Sequence, residues 1–351
     1  MCTELFVPQK TCHLSGRTMD LVANLPFFVV QLPTGRETST GVHAKFDILG
    51  ISFLKGGFLV DGMNRPGLCV SFLWNKYSLI TPGCWDPDPE QDQFAFNHLI
   101  ATLLGQCGSA AEAVSMLKND VTCVKNMMSA SMSPFIKPNL HLCIHDSSGA
   151  GYSIDFREGS MRVHLNDVGV MTNDPSFDTM RHILPTYFTG EKSPMSAKEM
   201  GIPGGQSPLE RFIRGAYYVR KMRRLLRQHK VGVWWDLVGV VCQPISSDHT
   251  QSTVIRTWWK VVRDTREHCY YLWCAEQSTP FRIGVPELEQ RTGRRLPLCA
   301  NKTWPPFLQD VVTSDPYATN VMATAIGAMV AWTLTFVGVG VGIGYGIWKP
   351  R

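Results

Sequence analysis

Leu140-His-Leu-Cys-Ile-His-Asp146, Tyr152-Ser-Ile-Asp-Phe156, Met161-Arg-Val-His-Leu165 and Val168-Gly-Val-Met-Thr-Asn173 follow one another with only short breaks. The breaks are Ser147-Ser-Gly-Ala-Gly151, a turn at Glu158-Gly159 and the pair Asn166-Asp167. Connections this short cannot hold the dozen or more residues of a parallel crossover, so the runs read as antiparallel hairpins. Upstream, Pro26-Phe-Phe-Val-Val-Gln-Leu32, Phe46-Asp-Ile-Leu-Gly-Ile51, Phe58-Leu-Val60 and Leu68-Cys-Val-Ser-Phe-Leu-Trp74 carry the same signature between Gly, Pro and Asn. Downstream, Val254 to Cys274 resumes it. Helical spacing marks Gln93 to Leu104, Ala110 to Leu117 with Ser109 as N-cap, Leu209 to Arg227, and Trp234 to Val241. Strands, helices, strands, helices, strands is the order of an α+β protein whose antiparallel sheets are covered by helices.

The remaining chain divides into a linker and a membrane segment. Residues 296–320 read as irregular, within a Pro- and Arg-containing stretch from Pro286 to Asp310. Val321 to Trp348 has no charged side chain and ends in Lys349-Pro350-Arg351, longer than the ~20 residues that span a bilayer core. Gly338, Gly342 and Gly346 give the small-xxx-small spacing that permits close helix packing. The expected organisation is a catalytic domain over residues 2–295 and a single-pass C-terminal transmembrane helix over 321–348. Without a secretory signal in Met1-Cys-Thr-Glu-Leu-Phe-Val-Pro-Gln-Lys10, the body is expected on the cytosolic side of that membrane.

Composition narrows the class further. The chain has 351 residues, 34 Lys+Arg against 29 Asp+Glu, and 44% hydrophobic residues, which excludes a disordered or fibrous chain. A net charge of +5, spread along the sequence, argues against nucleic acid as a partner. There is no G-x-S-x-G elbow, phosphate loop, H-E-x-x-H or paired CxxC. Among the eleven cysteines, Cys269 with Cys274, Cys12-His13 and Cys143-Ile-His145 read as packing rather than metal ligands.

Cys2 carries the one distinctive chemistry. With Met1 removed, which a small second residue favours, it presents a thiol and an α-amine on one residue. An α-amine of pKa ~8 beside a thiol of ~8.5 can take the thiol proton at neutral pH and so act as its own general base. A neighbouring guanidinium favours the thiolate, and Arg17, with Asp20, returns beside the first strand through a hairpin. Viewed alone, a cysteine at position two is ordinarily accidental.

The ordered motifs around it change that weight. Met1-Cys2-Thr3, Gly16-Arg17-Thr18-Met19-Asp20, Asp61-Gly62-Met63-Asn64 with Gly67-Leu68, Thr172-Asn173-Asp174-Pro175-Ser176-Phe177 and Gly201-Ile202-Pro203-Gly204 with Arg211-Phe212-Ile213-Arg214 occur in sequence. Together with Thr257 to Asp264 and Tyr270-Tyr271, they resemble the choloylglycine hydrolase family of bile salt hydrolases and penicillin V acylases, over roughly residues 2 to 280. The resemblance implies an N-terminal-nucleophile hydrolase, a four-layer αββα sandwich of two antiparallel sheets, and no cofactor or metal. It implies that Cys2 attacks a carboxamide carbonyl to give a thioester and serves, through its amine, as base. Arg17 would sit by the sulfur, Asp20 would hold the α-ammonium, Asn173 would donate to the oxyanion, and Arg211 would lock the polar network.

One position departs from the family pattern. A gap-free count from Asp61 brings Trp74 to the place where the family has Asn or Tyr at the oxyanion hole, and Asn75 lies one residue later. Either a bulge restores Asn75, or Trp74 occupies the position with only its backbone N–H. The short stretch from Asn173 to Arg211 argues against the family's common homotetramer and leaves a homo-oligomer open. The expected substrate is a small amphipathic amide: a conjugated bile salt, or an N-acyl compound of the penicillin V type. A non-catalytic membrane-bound amphiphile-binding protein on the same fold is the rival reading. The basic run Arg211, Arg214, Arg220, Lys221, Arg223, Arg224, Arg227 and Lys230 reads as a solvated helix face or as a surface for anionic lipid.

Overall fold

A computed structural model describes residues 1–21, 25, 27–36, 43–53, 58–75, 99–119, 140–157, 160–188, 201–243, 255–275, 279–285 and 295–297. Two antiparallel sheets form its centre. One has six strands in the order β10 (Val170–Met171), β1 (Cys2–Leu5), β2 (Leu14–Leu21), β11 (Arg256–Asp264), β12 (Cys269–Cys274) and β13 (Phe281–Gly284). The other has eight: β14 (Arg295–Pro297), β3 (Phe27–Leu32), β4 (Ile48–Phe53), β5 (Phe58–Asn64), β6 (Leu68–Trp74), β7 (Leu140–Asp146), β8 (Gly151–Arg157) and β9 (Ser160–Leu165). Helices α1 (Leu99–Gln106) and α2 (Ala110–Asn119) lie on the eight-stranded sheet. On the six-stranded sheet lie α4 (Pro208–Leu226) and α5 (Val231–Val240), with α3 (Phe177–Phe188) against α4. Helix, sheet, sheet, helix is the layering that the resemblance implies.

Period-two alternation sorts the key motif between layers. In β2, Arg17 and Met19 turn toward the second sheet, where Arg17 meets Asp61 and Met19 joins the apolar cluster of both sheets. Gly16, Thr18 and Asp20 turn toward the helices. A Cβ on Gly16 would fall 2.2 Å from Val238 of α5, so glycine lets that helix lie directly on the strand. The same alternation sends Cys2 inward and Leu5 into the helix-side cluster with Phe212, Trp234 and Val262. Between the sheets, Trp259, Val261, Tyr270 and Leu272 are fully buried with Val29, Ile51 and Met63. Each such side chain contributes about 1.5–3 kcal/mol of apolar transfer.

The Asp61-to-Leu68 motif makes a pinned turn. Gly67 has φ +105°, which a side chain disfavours, and Asn64 Oδ1 accepts from Gly67 N at 3.2 Å and Leu68 N at 2.9 Å. Asn64 Nδ2 donates to the carbonyls of Leu104 and Cys107 at 2.8 and 2.7 Å, tying the end of α1 to the turn.

Three features differ from the sequence reading. The fourth run of the hairpin series leaves its sheet: β7, β8 and β9 are neighbours, whereas β10 pairs with β1. Asn166 steers that departure, its Nδ2 donating to Ser153 Oγ and the Val170 carbonyl at 3.1 Å each. Helix α3, with Pro185 inside it, is not among the helices marked from the sequence. Strand β14 lies in the stretch expected to be irregular. Among the described residues no helix is long and apolar enough to cross a membrane, and residues 321–348 lie outside them.

Candidate active site

Cys2 sits on a strand laced on both sides, with Met19 of β2 opposite it and β10 alongside. It is 3% exposed. Its Sγ lies 3.4 Å from Met19 Sδ and 4.0 Å from Arg17 Nη2. Its main-chain nitrogen donates to Asn173 Oδ1 at 2.8 Å. Met1 precedes it here, and the terminal amine of Met1 donates to the Asp20 carbonyl while Asp20 N donates to the Met1 carbonyl at 2.7 Å.

Arg17 is held by oxygens of the facing sheet. It donates to the Val60 carbonyl at 2.5 Å, to Asp61 Oδ2 at 3.0 Å and to the Phe72 carbonyl, and its guanidinium lies 5.5 Å from the Trp259 ring centre. Asp61 is shared with Arg263, whose fork also grips Glu4 at 2.5 and 2.9 Å. Tyr270 Oη donates to Asp61 at 2.7 Å, Ser71 Oγ to Glu4 at 2.9 Å, and His145 Nε2 meets Glu4 at 3.0 Å. Burial alone would raise the Asp61 and Glu4 carboxyls, but Arg263 and its neighbours hold both below the usual carboxylate range. Two guanidiniums and two carboxylates thus balance in a buried layer, where any one left unpaired would be costly.

Arg211 reaches the other side of Cys2 from the first turn of α4. That turn is set by a capping box: Ser207 Oγ accepts from Glu210 N at 3.3 Å, and Glu210 Oε2 accepts from Ser207 N at 3.1 Å. Arg211 then donates to the Cys2 carbonyl and to Asn173 Oδ1, both at 2.8 Å, and to Thr3 Oγ1. Asp20 lies 3.5 Å from Arg211 and accepts from Thr257 Oγ1 at 2.5 Å and Thr18 Oγ1 at 3.3 Å. Burial dominates there and pushes the Asp20 carboxyl above its ordinary value despite Arg211.

The structure therefore brings Cys2, Arg17, Asp20, Asn173 and Arg211 together from four segments. At Trp74 and Asn75 the strand is regular. The pairing of β6 with β7 runs unbroken from Leu68 to Trp74, so no bulge intervenes. Trp74 turns its side chain out, 44% exposed, and its carbonyl accepts from Asn173 Nδ2 at 2.7 Å. Asn75 is buried, following Ser71 and Leu73 on the inward face, and its amide meets His141 Nδ1 at 3.2 Å. His141 in turn faces Asp155 Oδ1 at 3.1 Å and the Thr172 carbonyl at 2.8 Å. The pleat places the Asn one step beyond the aligned position on the inner face, because the Trp already occupies the outer one.

Of the basic run, Arg211 and Arg214 are buried in the fold, and Arg220, Lys221, Arg224, Arg227 and Lys230 are exposed. Thiols other than Cys2 are suppressed by burial, with Cys69 pushed up to about 12 and Cys107, Cys242 and Cys269 to about 11. Among the described residues no cluster of three or more His, Cys, Asp or Glu is placed to hold a metal. Sequence reasoning missed Glu4, Asp61, Arg263, His141 and Thr257 as neighbours of the site. Their signal was present: Glu4, Asp61 and Arg263 are charges at inward positions of otherwise apolar strands.

The family model for linear amide C–N hydrolases, choloylglycine hydrolase family, matches residues 2–279. A bile salt hydrolase/transferase of Clostridium perfringens is 26% identical over 245 residues, covering 62% of this chain and 71% of the relative. A penicillin V acylase of Pectobacterium atrosepticum is 25% identical over 166 residues, covering 46% of this chain and 41% of the relative. The crystal structure of a C2A mutant conjugated bile acid hydrolase from Clostridium perfringens shares the fold, with TM-score 0.70 at 20% identity over 87% of this chain and 98% of that one. The chain belongs to the choloylglycine hydrolase family of linear amide C–N hydrolases.

Proposed function

We propose that this hydrolase works through Cys2 as an N-terminal nucleophile, once Met1 is removed, on a small amphipathic amide such as a conjugated bile salt. The observation that carries the reading is the convergence of Arg17, Asn173 and Arg211 on the sulfur, nitrogen and carbonyl of Cys2. The freed α-amine takes the Sγ proton, and the thiolate adds to the amide carbon. Asn173 Nδ2 has two hydrogens, one given to the Trp74 carbonyl and the second assigned to the oxyanion. Collapse expels the amine with the α-ammonium proton and leaves a thioester. Water, deprotonated by the same amine, hydrolyses it. The names of the relatives support both a bile-salt and an N-acyl substrate of the penicillin V type.

The membrane attachment belongs to the same proposal. Its support is the uncharged stretch from Val321 to Trp348. Recovery of the full chain in a carbonate-washed membrane fraction, and release on truncation before Val321, is the expected result; a full chain found wholly in the wash sinks the anchor.

The test of the chemistry is the mass of the native N-terminal peptide before and after penicillin V, followed by assays on glycine- and taurine-conjugated bile salts. Loss of Met1, an acyl adduct on Cys2 and no turnover by Cys2→Ala are expected. A native protein that retains Met1 has no free amine on Cys2 and overturns the mechanism.

A further inference from the structure

His141 stands where the two sheets meet beside the site, fully enclosed in the fold. Its Nε2 is 2.8 Å from the carbonyl of Thr172, the residue before Asn173. A carbonyl can only accept, so Nε2 carries the hydrogen and donates it. The other nitrogen faces Asp155 Oδ1 at 3.1 Å and the Asn75 amide at 3.2 Å. Asp155 is buried, which by itself would raise its carboxyl, but the His141 hydrogen bond leads the effects that hold it below the ordinary range. Its second oxygen lies 3.7 Å from His164. Asp155 thus fixes the imidazole plane, and the imidazole fixes the Thr172 carbonyl.

The two ends that meet at this ring belong to different sheets. Trp74 ends β6 of the eight-stranded sheet with Asn75 next after it, and Thr172 and Asn173 follow β10 of the six-stranded one. Asn173 joins the same two ends through the Trp74 carbonyl. Two ties, one from His141 and one from Asn173, therefore set the distance between strands that must hold the oxyanion side of the site.

We propose that His141 is a positioning residue, which by donating to the Thr172 carbonyl holds the Asn173 side chain in place against Cys2. This rests on the assignment of Asn173 to the oxyanion given above. The ring touches neither Cys2 nor a reacting atom; it acts through the Thr172–Asn173 peptide.

Two polar variants separate its two bonds. The amide nitrogen of His141→Gln stands near Nε2 and retains the bond to Thr172; that of His141→Asn stands near Nδ1, retains Asp155 and is too short for Thr172. For each, the rate of Cys2 acylation by penicillin V is compared with alkylation by iodoacetamide, which develops no oxyanion. H141N is expected to slow acylation at least about tenfold, a fraction of what deleting an oxyanion donor costs, with kcat rather than KM carrying the loss. Alkylation stays within about twofold, and H141Q recovers most of the acylation rate. Equal acylation by both variants and the wild type overturns the inference. So does a parallel fall in acylation and alkylation that tracks thermal stability, the mark of a purely structural role. Wild-type protein that is alkylated but never acylated sinks the proposed chemistry instead. A crystal structure of H141N then decides the positioning separately. Asn173 displaced from the Cys2 nitrogen supports it, and Asn173 retained there overturns it.

Discussion

The main-chain nitrogen of Cys2 and Asn173 Oδ1 are joined across 2.8 Å, although 171 positions separate the two residues. One side chain thereby holds the nitrogen assigned as base through its oxygen, and presents its own nitrogen on the opposite side toward the Trp74 carbonyl. On the proposed mechanism, Asn173→Ala lowers kcat by about 10²–10³-fold with a smaller change in KM. Steady-state kinetics on the best substrate checks this, and a variant within tenfold of wild-type kcat removes Asn173 from the chemistry.

Arg263 divides its donors between Glu4 and Asp61, and all three side chains are fully buried. Arg263→Met leaves two carboxylates short of a partner and is expected to cost about 3–5 kcal/mol. The pH sign follows from the depressed carboxyls. Their stabilisation is present above the unfolded carboxylate values near 4 and is lost only as pH falls through the lower folded ones. Arg263→Met raises those folded values, so its acid unfolding midpoint moves to higher pH. Urea melts at pH 3, 5 and 7 report both effects; an unchanged acid midpoint contradicts the assignment.

Asp20 has the opposite sign. Its folded value is raised by burial, so its ionisation in the fold opposes stability as pH rises through that value. Asp20→Asn removes that term. The stability of the variant relative to wild type is expected to improve between pH 4 and pH 7, while turnover falls sharply. A stability difference flat with pH means that Thr257, Thr18 and Arg211 already compensate the charge in full.

Trp74 and Asn75 are adjacent in sequence and opposite in consequence. Trp74→Ala is expected to shift stability by no more than about 0.5 kcal/mol, because its side chain faces solvent and its carbonyl is unchanged. Asn75→Leu strands polar atoms of a buried cluster and is expected to cost about 1–3 kcal/mol. Thermal melts of the pair check the contrast, and the reverse order contradicts the inward placement of Asn75.

Cysteine mapping tests the suppression of the remaining thiols. With Cys69 pushed up to about 12 and Cys107, Cys242 and Cys269 to about 11, these four are expected to resist iodoacetamide at pH 8 in the folded state and to react once unfolded. Peptide mass mapping gives the answer directly. Modification of Cys69 in the native protein contradicts its enclosure.

Much of the fold was legible because hairpins advertise themselves locally. Runs such as Leu140 to Leu165 alternate and turn within a few residues, so their pairing follows from neighbouring sequence. The departure of β10 to the other sheet did not, since it depends on Asn166 reaching back to Ser153. At the site, Cys2, Arg17, Asp20, Asn173 and Arg211 were found as an ordered set of motifs, and the structure brings them together. Arg263 was missed although its charge stands at an inward position of its strand, and His141 because a histidine in a strand has no periodic mark that distinguishes an inward anchor from a solvated face. The Trp74 and Asn75 alternatives turn on register, which a count along a single strand cannot resolve and which the pleat shows as Trp74 outward and Asn75 inward.

The lacing of β1 between β2 and β10 fixes the order of events during synthesis. Cys2 leaves the ribosome well before its partners, and its carbonyl waits for Arg211, 209 positions later. At 5–20 residues per second that interval is about 10–40 s. Until Asn173 is made, 171 positions after Cys2, the nascent thiol has neither of these two partners. On the proposed mechanism, removal of Met1 and assembly of the site around Cys2 are therefore separated in time by the length of chain between Cys2 and Arg211.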